Sequence, residues 1–100
     1  MAAIDVTDNA ARHRYEARLD GELAGFAQYR DAPGRRIFMH TEVDDAFEGK
    51  GVGGALASWA LDDVRRAGLA VVPRCPFIAD YIERHPEYGD LVYQPGRDAG

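Results

Sequence analysis

The chain has no long apolar run, only one cysteine, and fewer basic than acidic side chains, and each shortage removes a class of protein. No segment approaches the roughly 20 apolar residues that a membrane span needs. Cys75 stands alone, so an internal disulfide is excluded and a free thiol in a reducing compartment is expected. Twelve Lys and Arg against seventeen Asp and Glu leave a net charge of −5 and a pI near 5.0. A general nucleic-acid binder needs a basic face to displace counterions from phosphate, so that class is set aside. The opening MAAIDVTDNAARHRYEA shows neither the basic start nor the apolar core of a secretory leader, and the expected location is the cytoplasm. His13, His40 and His85 keep no ligand spacing with Cys75 or the carboxylates, so no metal site is expected.

What remains is an ordinary globular composition, 46% hydrophobic and 29% charged over 100 residues. That length fits a single domain, residues 1–100, whose modest core buries roughly two thirds of the unfolded surface. Its packed part is expected at about 13–93, with a frayed tail QPGRDAG. Asp20-Gly21 between apolar and aromatic stretches predicts a hairpin with strands at 13–19 and 22–30. Pro33 and Gly34 predict a second turn. The strand RIFMHTEV follows over 36–43, and simple alternation puts Ile37, Met39, Thr41 and Val43 on one face and Phe38, His40 and Glu42 on the other.

From Gly51 the period becomes helical, with Val52, Leu56, Trp59, Ala60 and Val64 on one stripe and Gly68 as the closing glycine. A short buried strand is predicted at 69–73 and a second helix at 75–85, stopped by Pro86. A last short strand is expected at 91–93. The order is β-β-β-α-β-α with a further β, an α/β (α+β) fold in which an antiparallel meander leads into a mixed central sheet flanked by helices, with cover expected on both faces.

Residues 49–54, GKGVGG, hold four glycines in six positions. Gly49, Gly51 and Gly54 spell G-x-G-x-x-G, but the upstream strands read as hairpins and the next strand ends in Val72-Pro73-Arg74 without an acidic residue, so a dinucleotide-binding unit is rejected. A phosphate loop of the nucleotide-hydrolase kind fails too, because no hydroxyl residue follows Lys50. The underlying physics persists. Glycines at a helix start present unpaired N–H groups and the positive end of the helix dipole, which suit a pyrophosphate. The plainer reading, a tight turn with close helix packing, accounts for one glycine better than for four.

The stretch EVDDAFEGKGVGGALASWAL, coming off an antiparallel meander, resembles the acyl-coenzyme A signature of the GNAT superfamily of N-acetyltransferases. With MHTEV and VVPRCPFIADYIERHPEY, the likeness is to its small single-domain branch that carries a cysteine after the following strand, and it covers roughly 13–93. The resemblance implies acetyl-CoA as co-substrate and an amine acceptor. Backbone N–H groups of Gly51, Val52, Gly53 and Gly54 would hold the pyrophosphate, with Lys50 near a phosphate. The backbone of Glu42 and Val43 would line the pantetheine arm. Glu48 departs from the family's Gln or Arg and sets a carboxylate near that pyrophosphate. The chain also lacks the N-terminal helices that wall the acceptor site in fuller members, which implies an open acceptor cleft.

Four side chains are candidates for the chemistry. Cys75, before Pro76, reads as a helix N-cap, where the helix dipole and Arg74 favour a thiolate that could attack a thioester. A small buried residue at a helix junction is the plainer reading. The resemblance also implies direct transfer, in which His40 or Glu42 takes the amine proton and Tyr81 protonates the leaving thiolate. His85 reads as a helix-end residue. The acidic balance favours a cationic acceptor such as a polyamine or a lysine-rich segment. The expected state is a monomer or weak dimer, with neither nucleic acid nor membrane as partner. A non-catalytic coenzyme A sensing module is the alternative; a dimerisation domain with a vestigial loop is the third.

Overall fold

The computed structural model describes residues 3–95. Five strands form one sheet in the order β1-β2-β3-β4-β5: β1 (Ile4–Asn9), β2 (Arg14–Leu19), β3 (Glu22–Ala32), β4 (Arg35–Val43) and β5 (Ala70–Pro73). The first four are antiparallel neighbours and β5 joins β4 in parallel. Helix α1 (Val52–Arg66) makes the crossover and α2 (Pro76–Arg84) follows β5. The mixed α/β fold is the one expected, but the expected cover on both faces is not met: among the described residues both helices pack into one core on a single face of the sheet.

Three further expectations are corrected. The sheet begins before residue 13, because Ile4–Asn9 pairs with β2 through Ile4↔Leu19 and Asn9↔Arg14. Its Asp5, Asp8 and Asn9 are poor strand formers set among Ile4, Val6 and Thr7, and pairing with β2 settles the strand. The last strand shrinks to one parallel bridge, Val71↔Val92, after a 3-10 helix over Pro86–Leu91. The expected tail lies partly outside the described residues.

The third correction concerns the face of β4. Gln28 pairs with His40 but Tyr29 pairs with Phe38, so Met39 is an extra residue, a β-bulge. The bulge resets the alternation. Phe38 shares a face with Tyr29, and Thr41 with Ala27, whereas His40 and Glu42 lie with Gln28 and Phe26 on the opposite face. Phe38 therefore does not share a face with His40 and Glu42.

The helices all pack on the Phe38 face. Tyr15 stacks on Phe38 and meets Trp59 of α1 edge-on. Val52, Leu56, Leu61 and Val64 are fully or almost fully buried over β1–β4, each adding about 1.5–3 kcal/mol relative to exposure. A polar clasp closes the rim. Arg36 donates to Tyr15 Oη at 2.6 Å and to both Asp31 oxygens, Tyr15 Oη donates to Asp63, and Tyr29 Oη donates to Asp8 at 2.6 Å. Burial first, and then those carboxylates, push both tyrosine hydroxyls above the ordinary range. Helix α2 reaches the same side, since Cys75 at its start bonds Thr41 and Tyr88 of the following 3-10 helix bonds Asp62 of α1.

The other sheet face carries no helix among the described residues. It holds one buried charge, Glu16, which accepts from Arg14 at 2.7 Å, Arg18 at 3.1 Å and Asn9 at 3.2 Å. Burial alone would raise its carboxyl, but these bonds outweigh burial and hold it below the ordinary glutamate range. A depressed carboxyl stabilises the fold above its unfolded pKa and loses that effect as pH falls through the folded value. Urea unfolding across pH is therefore expected to show stability falling in acid. Glu16→Gln should cost about 1–3 kcal/mol at neutral pH and flatten part of that fall.

Candidate functional site at the β4–β5 splay

Strand β4 keeps β5 as a partner only from Arg35 to Phe38. Pro73, opposite Phe38, ends β5; Arg74 N then bonds Val72 O, and Cys75 N bonds Phe38 O. Past that point the chain turns into α2, and β4 from Met39 to Val43 has no strand on its β5 side among the described pairings. The two backbones part there, with β4 on one side and Cys75, at the start of α2, on the other.

At the end of β4 the backbone enters a 3-10 turn, Asp45–Phe47, capped by Asp44 Oδ1 accepting from Ala46 N at 2.9 Å. Gly51 then takes φ +83, a left-handed N-cap that a side chain would strain. Helix α1 starts with no side-chain cap. Its first helical bond runs from Ala55 N to Gly51 O, so the N–H groups of Val52, Gly53 and Gly54 have no acceptor among the described hydrogen bonds. A 15-residue helix thus presents three free donors and the positive end of its dipole at the mouth of the splay.

The glycines divide by cause. A Cβ at Gly53 would stand 2.8 Å from Phe77 Cζ of α2, but that ring is the exposed end of a side chain and can swing away. At Gly54 a Cβ would meet nothing within 4 Å. No contact within the chain requires glycine there, although glycine in a helix costs about 1 kcal/mol against alanine. Gly25 has a local reason, since its Cβ would stand 2.6 Å from Glu42 O; its bareness lets β3 close up against Glu42 and Val43.

The predicted residues fall into two sets on opposite sides of the sheet. On the helix side, Cys75 is the N-cap of α2 without a side-chain capping bond, is buried, and donates from Sγ to Thr41 Oγ1 at 3.3 Å across the splay. On the helix-free side, His40 Nε2 lies 3.1 Å from Glu42 Oε2, both side chains more than half exposed. Tyr81 belongs to neither. Its ring stacks on His85 at 3.9 Å and tilts against Tyr88, and six helical residues put it about 9 Å along the axis from Cys75. His85 Nδ1 bonds the Tyr81 carbonyl at 2.8 Å, the helix-end role read from the sequence.

Lys50 is exposed in the loop and is the only lysine in the chain. Glu48 is exposed as well, and a hydrogen bond with Asp45, then that residue's charge, raises its carboxyl above the ordinary range. Sequence reasoning missed Thr41 as the partner of Cys75, because only the bulge brings it to the helix side.

An uncapped helix start beside the end of a parallel strand pair, in a mixed five-stranded sheet, defines the α/β class of the fold, and comparison with known proteins gives its family. A profile of the GCN5-related N-acetyl-transferase family matches residues 14–91, and the chain belongs to that family. Protein NATD1 of Gallus gallus is 33% identical over 85 residues, covering 83% of this chain and 77% of that protein. The solution structure of a GCN5-like protein from Staphylococcus aureus superposes with a TM-score of 0.69 at 18% identity over all of both chains. The ribosomal-protein-S18-alanine N-acetyltransferase of Escherichia coli gives 0.58 at 18% identity, over 71% of this chain and 64% of that one. At such identity these two structures establish the fold.

The thiol geometry has a direct check. Cys75 is 2% exposed and engaged with Thr41, so a disulfide reagent should label it at least roughly tenfold more slowly in the folded protein than in urea. Equal rates would mean that the splay is open down to the sulfur.

Proposed function

We propose that this chain binds acetyl-CoA at the start of α1 and transfers the acetyl group to an amine, as a cytoplasmic N-acetyltransferase. The observation that carries the reading is the uncapped start of α1, where three N–H groups have no acceptor among the described hydrogen bonds and where no described neighbour within 4 Å requires Gly54 to be a glycine. Those donors fit a pyrophosphate, and Lys50 adds a mobile cation beside them. Bound there, acetyl-CoA supplies an activated thioester.

The chain's own groups do the rest. Val52, Gly53 and Gly54 fix the anion through their backbone. The free β5 side of β4, at Glu42 and Val43, offers backbone hydrogen bonds to an extended amide arm, as another strand would. The amine arrives from the helix-free face, where no element screens β4. His40 takes its proton there, and Glu42 at 3.1 Å stabilises the imidazolium. A second route has one observation in its favour: Cys75 Sγ reaches across to Thr41 on β4. After losing its proton to solvent, Cys75 would attack the thioester carbonyl, forming a new C–S bond as the bond to the coenzyme sulfur breaks, and the coenzyme leaves as a thiolate that takes up a proton.

Calorimetry with coenzyme A and acetyl-CoA tests the reading, and no heat at millimolar ligand would sink both the enzyme and a non-catalytic binding module. Gly54→Ala separates ligand from fold. It should raise stability by up to about 1 kcal/mol and weaken coenzyme binding roughly tenfold. Glu48→Gln should tighten binding roughly two- to fivefold by removing a carboxylate near the helix start. An acceptor screen divides enzyme from module. Intact mass after incubation with acetyl-CoA should show an adduct of about 42 Da on wild type and none on Cys75→Ala if the covalent route runs.

A further inference from the structure

The net charge of −5 describes the whole surface and not the face an acceptor would meet. Strand pairing puts Arg14, Arg18 and Arg30 on the helix-free face with Phe26 and Leu23. Against them stand four carboxylates, Glu16, Glu42, Asp5 and, just past the end of β4, Asp44. Glu16 is buried and already bonded to Arg14 and Arg18, and Glu42 is beside His40. Asp5 lies on the edge strand, opposite Arg18. The placement of these charges matters more than their sum: Arg14 lies 4.7 Å over the Phe26 ring and Arg18 is paired opposite Leu23, so a second cation lying beyond the Glu42 end of the face would meet guanidinium groups.

A depression lies beside Glu42 on the same face. It encloses about 160 Å³ and is lined by Leu23, Phe26, Glu42, Val43 and Asp44. The apolar part is Leu23, 40% exposed, and Phe26, whose ring is flanked by Arg14 at 4.7 Å and by His40 edge-on at 6.2 Å. The negative part is Glu42 and Asp44, at the end of β4 where it meets β3. The volume suits a stem of roughly half a dozen heavy atoms, on the scale of about 30 Å³ for one water in the liquid.

Resting on the N-acetyltransferase reading, we infer that the acceptor is a monoamine on a short apolar stem, aliphatic or aromatic, and not a polyamine or a lysine-rich segment. The stem lies on Leu23 and Phe26. The ammonium group is held by the Glu42 end of the depression, next to His40, where the proton must leave before the nitrogen attacks. Each methylene brought out of water onto Leu23 and Phe26 adds about fourfold to affinity, whereas a second distal cation is driven toward Arg14 and Arg30.

The test uses the full chain with acetyl-CoA and follows release of the coenzyme thiol with butylamine, hexylamine, phenethylamine and spermidine. Hexylamine and phenethylamine should exceed spermidine at least tenfold in kcat/KM. Leu23→Glu, at an exposed position where the fold tolerates it, should raise KM for hexylamine, lower it for spermidine, and leave coenzyme A affinity by calorimetry unchanged. Normal coenzyme binding with spermidine equal or preferred overturns this inference alone. So does normal binding with no monoamine acetylated, or a Leu23→Glu variant with unaltered KM values. Absence of coenzyme binding removes the underlying N-acetyltransferase reading instead.

Discussion

Beyond Phe38, the β5 side of β4 has backbone groups with no strand to bond. Pro73 stops β5 opposite that residue, and Pro76 commits the chain to α2 three positions later. Unsatisfied strand edges usually have to be covered or blunted. Here the edge is left at the mouth of the uncapped α1, so one defect in sheet pairing and one in helix capping share a site. Each is unfavourable in the isolated chain. In the function proposed for the chain, these donors and acceptors would receive an extended ligand with an anionic end.

The bulge at Met39 decides how that site is divided. Without the extra residue, His40 would share a face with Phe38 and be driven beneath α1, where an imidazole would need buried partners. With it, Phe38 enters the core, Thr41 faces Cys75, and His40 and Glu42 face solvent. Thiol and imidazole are thus separated by the sheet itself. Two chemistries that looked interchangeable as neighbours of one strand belong to different compartments.

The helix-free sheet face is held together without a second layer. Most exposed sheets keep their outer face polar, and this one does so with Arg14 and Arg18 folded over Glu16 and Arg14 over Phe26. The aliphatic stems of these arginines cover apolar surface while their guanidinium groups satisfy the buried carboxylate. Such an outer layer is thin, which leaves Leu23 and Met39 exposed and keeps β4 within reach from that side. On the opposite face the Arg36 clasp does the complementary work, tying β1, β2, β3 and α1 to β4 through Tyr15, Tyr29 and three aspartates.

The hairpin at Asp20-Gly21, the amphipathic stripe of α1, the N-terminal Pro76 of α2 and the glycine-dense helix start were all legible along the chain, because each is a local code. Turn chemistry, 3.6-residue periodicity and the missing Cβ act over a few residues and need no partner. Strand β1 was not legible, since IDVTDN becomes a strand only through its register with Arg14–Leu19. Nor was the face of His40, because a bulge is a property of two paired strands and leaves no mark in the periodicity of one. The sequence by itself determined which residues could serve the chemistry. Tertiary structure decided which of them meet, for the reason that pairing register, unlike propensity, is set by what lies on the neighbouring strand.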